Sequence, residues 1–148
     1  MQNLVELIDT MEIYTIGGFD EVGKNMTVVK TGEDVFIFDM GVFLPAIVGL
    51  QEQEEGKKQI YSEKRLRGIG AFPDDLVLDK FGLRSKVRAV FLGHSHLDHI
   101  GAAPYIAYRY NAPLVGTPFT ISVLKKILED EGIKIPNLVK TVNPNSSF

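Results

Sequence analysis

Cysteine is absent from the sequence, and histidine occurs only three times in 148 residues. The lack of cysteine excludes disulfide bonds and thiolate metal sites, and it fits a reducing cytosol. No apolar stretch approaches the roughly 20 residues that a membrane-spanning helix needs. The N-terminal segment carries Glu6 and Asp9 and lacks the basic start of a signal peptide. We therefore expect a cytoplasmic protein without a membrane partner.

Size and charge narrow the class further. The length suits one domain, and a hydrophobic fraction of 45% is enough for a packed core. The formal net charge of −3 argues against a protein that coats nucleic acid through its overall charge. A local basic surface stays compatible with this composition.

The hydrophobic pattern predicts an α/β chain. Residues 4–8 predict a short amphipathic helix, and residues 12–16, 25–30 and 35–38 predict an antiparallel meander of three strands. After residue 99 the pattern alternates between helix and strand. Pro104 and Pro118 each suit the first turn of a helix, the second of these helices ends near Gly132, and residues 113–116 and 138–142 predict strands.

Residues 42–84 form a distinct, charged region that we interpret as an insertion. Nine of the sixteen lysine and arginine residues lie between positions 57 and 88. A solvated insertion surface is the favoured interpretation, and a surface for an anionic polymer is the alternative. The nine residues are Lys57, Lys58, Lys64, Arg65, Arg67, Lys80, Arg84, Lys86 and Arg88.

All three histidines lie within the six residues HSHLDH at positions 94–99, directly behind an apolar run that predicts a buried strand. Three imidazoles and a carboxylate on one short loop form a dense set of metal ligands. Since residues two apart on an extended chain point the same way, His94 and His96 can converge on one ion. Asp98 and His99 can then face a second ion. Two ions about 3.5–4 Å apart would activate a bridging water for attack on a phosphodiester.

Two other polar residues have competing interpretations. Asp39 closes the third predicted strand, where it either caps a turn or places a carboxylate at the sheet edge, and the sequence favours neither. Ser95 suggests a Ser-His-Asp triad, which we discount because the chain has no G-x-S-x-G elbow around it.

The histidine loop resembles the second motif of the metallo-β-lactamase fold, and Asp39 resembles its first motif. Residues 17–26 (GGFDEVGKNM), 72–75 (FPDD) and 98–105 (DHIGAAPY) are similar to ribonuclease J, especially the archaeal form. The resemblance implies the N-terminal half of a metallo-β-lactamase αββα sandwich, with a mixed, mostly antiparallel sheet and helices packed on it. It also implies a zinc-dependent 5′→3′ exoribonuclease, with endonuclease cleavage as a further activity and RNA as the partner.

The same resemblance implies roles for individual residues. His94 and His96 would bind one zinc ion, while Asp98 and His99 would bind the other and take part in catalysis. Asp39 would orient the loop from behind the ligands. The segment expected near the metals contains Glu21, Lys24 and Asn25. The sequence assigns no residue to RNA binding.

The chain departs from the family pattern in one respect. The later metal-binding motifs and the β-CASP domain of ribonuclease J have no match in residues 1–148, so we expect one partial domain that includes the insertion at 42–84. Each zinc would keep only two protein ligands, fewer than the three of a catalytic site. We therefore expect this chain alone to bind zinc weakly or not at all and to leave RNA uncut.

Two alternatives to the ribonuclease stay open. One is another hydrolase of the same fold, such as a glyoxalase II-like thioesterase, although the basic insertion speaks against it. The other is a non-catalytic half-domain that binds a partner through an exposed apolar sheet face. Self-association of the chain is open as well.

Overall fold

The computed structural model describes residues 10–54, 60–143 and 145. The helix predicted over residues 4–8 lies outside these residues, as do Lys57 and Lys58. Six strands form one sheet whose spatial order follows the chain. The strands are β1 (Met11–Gly17), β2 (Met26–Thr31), β3 (Asp34–Phe38), β4 (Val87–Leu92), β5 (Leu114–Gly116) and β6 (Val139–Thr141).

The sheet is mixed, which confirms the predicted fold class. Strands β1, β2 and β3 form the predicted antiparallel meander. Strands β3 to β6 pair in parallel, so the described sheet has three parallel and two antiparallel pairs, whereas a mostly antiparallel sheet was expected. The parallel part arises because each strand after β3 is reached through a helical crossover, whereas the first three follow one another through short turns.

The helices are short except for the first and last. They are α1 (Leu44–Gln53), α2 (Glu63–Gly68), α3 (Val77–Lys80), α4 (Leu97–Ile100), α5 (Ala103–Ile106) and α6 (Pro118–Asp130). Single 3₁₀ turns cover Arg84–Lys86 and Ala107–Arg109. The sequence signals for α6 are realised, since the Thr117 hydroxyl accepts a hydrogen bond from the Thr120 amide and Gly132 follows with a φ of 65°. No helix in the described residues is long and apolar enough to span a membrane.

The two faces of the sheet differ in burial. Val28, Ile37 and Val90 pair across neighbouring strands, are fully buried, and share a core cluster with residues of the helices. On the opposite face, Ile13 is 62% exposed and Phe38 is 42% exposed. The helices therefore cover one face, and the other face presents apolar side chains to solvent.

The region at 42–84 carries α1, α2 and α3, and it supplies Leu66 and Leu78 to the main core. Asp75, 1% exposed, accepts a hydrogen bond from Arg67 Nη1 at 2.6 Å on Oδ1. Its Oδ2 accepts from the Tyr110 hydroxyl at 3.2 Å and lies 3.1 Å from Arg109 Nε. Burial and the nearby Asp75 charge raise the pKa of Tyr110, so its hydroxyl stays protonated as a donor. This ionic cluster ties the region to the chain after α5.

Candidate metal centre

The histidine loop begins where β4 ends. His94 and His96 are exposed, and His96 is the residue directly before α4. Asp98 and His99 lie within α4 and are half-buried, with 30% and 28% of their side chains exposed. The strand end and the short helix therefore present the four predicted ligands on one continuous stretch.

Asp39 joins both ends of this loop. It follows β3 in the left-handed region, with a φ of 66°. Its Oδ1 accepts a hydrogen bond from the Gly93 amide at 2.8 Å, and its Oδ2 lies 2.8 Å from His99 Nδ1. A carboxylate at Nδ1 favours the tautomer that carries its proton there, which leaves the lone pair on Nε2. Of the two interpretations from sequence, the structure thus has the side chain at the sheet edge, in contact with the loop.

Backbone hydrogen bonds from two neighbouring segments hold α4. The Val42 amide donates to the Leu97 carbonyl at 3.0 Å, and the Met40 amide donates to the His99 carbonyl at 2.7 Å. Between them, the Asn25 amide donates to the Asp98 carbonyl at 3.0 Å. Backbone hydrogen bonds alone therefore fix the carbonyl groups of three consecutive residues of α4.

Gly41 makes this close approach sterically feasible. A Cβ atom at this position would lie 1.6 Å from the Asp98 carbonyl oxygen and 2.8 Å from the Asn25 nitrogen. No side chain fits such a gap, so only glycine can occupy the position. Sequence reasoning passed over Gly41 as a site residue, although its place two residues after Asp39 was the available signal.

The segment expected near the metals divides into two parts. The Asn25 Nδ2 donates to Asp98 Oδ2 at 3.1 Å and lies 3.4 Å from His99 Nε2, so Asn25 contacts both predicted ligands. Glu21 and Lys24 instead form an ion pair with each other at 3.4 Å, and Lys24 Nζ lies 5.8 Å from the Phe43 ring centre. Within the described residues, neither side chain has a hydrogen bond or an ion pair with the histidine loop.

The distance between two of the predicted ligands suits a shared metal ion. Asp98 Oδ2 and His99 Nε2 are 3.5 Å apart, close to the roughly 3.3 Å that separates two ligands bound about 2.0–2.1 Å from a tetrahedral zinc ion. The ring centres of His94 and His96 are 4.1 Å apart, and those of His94 and His99 are 5.2 Å apart. In the part of the chain that the structure describes, no three such side chains are arranged to hold a metal ion together.

The described part of the basic zone, which comprises the lysine and arginine residues between positions 57 and 88, is largely neutralised by ion pairs. Of its seven described members, only Lys64 and Lys80 lack a carboxylate partner among the described residues. The pairs are Arg65 with Glu54, Arg67 with Glu63 and Asp75, Arg84 with Asp79, Lys86 with Glu33, and Arg88 with Asp34. The described part of the zone is therefore not a continuous cationic surface.

Comparison with known proteins places this geometry in a family. The family model described as Metallo-beta-lactamase superfamily matches residues 19–133. The chain belongs to the metallo-β-lactamase superfamily. The match covers β2 to α6, and with them the histidine loop, Asp39, Asn25 and Gly41.

Individual relatives within the metallo-β-lactamase superfamily are ribonucleases. The chain is 39% identical to ribonuclease J of Methanocaldococcus jannaschii over 139 residues, which cover 93% of this chain and 30% of the relative. It is 43% identical to ribonuclease J of Pyrococcus abyssi over 127 residues, covering 85% and 27% respectively. Ribonuclease J of Helicobacter pylori is 26% identical over 84% of the chain and 16% of the relative. The chain thus spans less than a third of the length of these relatives, and the predicted resemblance to ribonuclease J is confirmed.

Proposed function

We propose that this chain forms the part of a metal-dependent ribonuclease that carries the histidine loop. The proposed activity of the whole protein is hydrolysis of RNA phosphodiesters from the 5′ end, with endonuclease cleavage as a second mode and zinc as the metal. Similarity to archaeal ribonucleases J over most of the chain supports the substrate class. The observation that carries the proposal is the placement of His99, with Nδ1 against Asp39 and Nε2 beside Asp98.

The residues of the loop take the following proposed roles. His94 and His96 hold one zinc ion, and Asp98 and His99 hold the second and contact the reacting groups. When bound, the metals supply Lewis-acid activation of water and stabilise charge on the phosphoryl oxygens. Asp39 accepts a hydrogen bond from the Nδ1–H group of His99 and so keeps the Nε2 lone pair available.

We further propose that residues 1–148 are one partial domain and that residues outside them complete each metal site. A catalytic zinc takes at least three protein ligands, and each pair in the loop supplies two. The isolated chain then binds zinc weakly and does not cleave RNA. Tightly held, stoichiometric zinc in the purified 148-residue chain would contradict this part of the proposal.

A substrate comparison tests the proposed function. The full-length protein that contains this chain is assayed on a 5′-monophosphorylated RNA labelled at its 3′ end and, in parallel, on a glutathione thioester. We expect metal-dependent release of mononucleotides from the RNA and no thioester hydrolysis. Thioester hydrolysis without RNA cleavage would instead support the glyoxalase II-like alternative.

A further inference from the structure

A second concave site lies at the opposite end of β4 from the histidine loop. A cavity of about 460 Å³ is lined by the first residues of this strand and by the turn that follows α5. The strand has six residues, so the two sites are separated by roughly 20 Å. Its polar lining consists of Arg84, Ser85, Arg88, Tyr108, Arg109 and Asn111. Among these described residues there are three guanidinium groups, each of them ion-paired with an aspartate that is not part of the cavity lining.

Two of the arginines are tethered in a way that leaves their outer nitrogens unused. Arg84 Nε lies 2.9 Å from Asp79 Oδ1, and Arg88 Nε donates to Asp34 Oδ1 at 2.6 Å. The Nη groups of both residues make no hydrogen bond to any described residue. A guanidinium group held through Nε still offers its two Nη groups as a fork for a phosphate, at a lower cost in rotamer entropy. The ion pairs therefore restrict these side chains without occupying all of their donors.

A neighbouring cavity of about 330 Å³ shares Tyr108 and Asn111 with the first. Tyr108 is 52% exposed and offers an aromatic surface, and Pro113 lines the same cavity. Asn137 also lines it, and its Oδ1 is buried without a hydrogen-bond partner. Its Nδ2, in contrast, lies within hydrogen-bond distance of three backbone carbonyls. The second cavity thus offers an exposed aromatic ring beside the first, while Asn137 is a half-buried residue of its wall.

We propose that the paired cavities bind one nucleotide unit of single-stranded RNA. The phosphate contacts the Nη groups of Arg84 and Arg88, and the base stacks on Tyr108, as bases do on exposed aromatic side chains in proteins that bind single strands. The site shares no residue with the histidine loop, so this proposal does not rest on the proposed hydrolysis. A free nucleoside monophosphate and a nucleotide within a strand offer the same chemistry.

Titration of the 148-residue chain without added metal and in EDTA tests the proposal. The probes are inorganic phosphate, cytidine monophosphate and a cytidine hexanucleotide, and the readout is the NMR signals of the arginine Nε–H groups and the Asn137 amide. We expect both nucleotide probes to shift these signals and to bind more tightly than inorganic phosphate. If the hexanucleotide binds at least tenfold more tightly than cytidine monophosphate, the site is one for RNA strands. Equal affinity of the two probes would instead identify a free nucleotide as the ligand and would overturn the assignment to RNA.

Paired variants decide which residues are responsible. The double variant Arg84→Gln/Arg88→Gln is expected to weaken hexanucleotide binding about tenfold or more, and Tyr108→Leu is expected to weaken nucleotide binding but not phosphate binding. Arg65→Gln is the matched control, because Arg65 is likewise exposed and ion-paired to one carboxylate. Circular dichroism checks that each variant is folded. Unshifted signals at the site with all three probes, or an equal loss in Arg65→Gln, would overturn the proposal.

Discussion

Asp39 Oδ2 lies 2.8 Å from His99 Nδ1, while the other oxygen of the same carboxylate accepts a hydrogen bond from the Gly93 amide. One side chain just after β3 therefore contacts the loop both where it leaves β4 and within α4. The two contacts need two acceptors on one group, which a carboxylate supplies and an amide does not. This explains why an aspartate occupies the position.

Substitution of Asp39 by asparagine tests this relationship. Asparagine tolerates the left-handed backbone conformation, so the fold should persist, but it can accept from only one of the two N–H groups. We expect the single Nδ1-protonated tautomer of His99 to be lost in ¹⁵N-detected NMR of the chain. In the full-length protein, metal affinity should fall about 10- to 100-fold. Asp34→Asn, at the start of β3, is the control, and equal effects of both substitutions would contradict the role of Asp39.

Gly41→Ala should strongly destabilise the chain. The added methyl group would lie 1.6 Å from the Asp98 carbonyl oxygen and 2.8 Å from the Asn25 nitrogen. Both atoms belong to the backbone, which cannot easily shift to make room. We expect a loss of about 3 kcal/mol or more in the free energy of unfolding, measured by urea denaturation. Gly49→Ala in α1 is the matched control, because a Cβ there meets nothing within 4 Å. That substitution should stabilise the helix by about 0.5–1 kcal/mol, so similar losses in the two variants would refute the close-approach explanation.

Asp75→Asn tests the buried ionic cluster. The Asp75 side chain is fully buried and faces two arginines whose side chains are 19% and 14% exposed. Loss of its charge leaves those guanidinium groups without their buried counter-charge, and we expect a cost of about 3–5 kcal/mol. Asp34→Asn removes an exposed ion pair instead and should cost at most about 1 kcal/mol. Thermal denaturation of both variants gives the comparison, and a neutral Asp75→Asn would show that the cluster is dispensable.

The exposed sheet face should drive self-association of the 148-residue chain. Ile13 and Phe38 are exposed on this face, and Phe38 stacks on Phe91 with ring centres 5.3 Å apart. Apolar surface of this kind favours association. We expect sedimentation velocity to show concentration-dependent oligomers that the double variant Ile13→Thr/Phe38→Thr largely abolishes. Phe119→Thr, an exposed position on α6, should have no effect, and a strictly monomeric native chain would refute the prediction.

Much of the fold was predictable because periodicity and turn chemistry are local signals. The alternation in β1, the capping threonine of α6 and its first-turn proline each act within a few residues. The burial in the region at 42–84 was not predictable, because Asp75 is neutralised by Arg67, eight residues away, and by Arg109, which only the fold brings to it. Counting lysines and arginines between positions 57 and 88 likewise could not reveal that Lys86 pairs with Glu33 and Arg88 with Asp34.

The candidate site likewise has a part that was predictable from local sequence and a part that depends on contacts between distant segments. The loop itself was evident, because all its ligands lie within six residues of sequence. The residues that support the loop are Asn25, Asp39 and Gly41. Asn25 lies 73 residues before its partner Asp98, and Asp39 lies 60 residues before its partner His99. Gly41 is similarly distant from Asp98, and all three meet the loop only through the pairing of β2, β3 and β4. Asn25 was expected near the site, but its direct contact with Asp98 was not, since sequence spacing carries no information about contacts between segments that are distant along the chain.

Metal-dependent RNA cleavage tests the central proposal most directly. The full-length protein is stripped with EDTA, zinc is restored, and cleavage of a 5′-monophosphorylated RNA is followed for the native protein and the His99→Gln variant. We expect activity to vanish with EDTA, to return with zinc in the native protein, and to stay at least 100-fold lower in the variant. Cleavage that persists in EDTA, or that survives unchanged in His99→Gln, would contradict the assignment of the histidine loop as the catalytic metal centre.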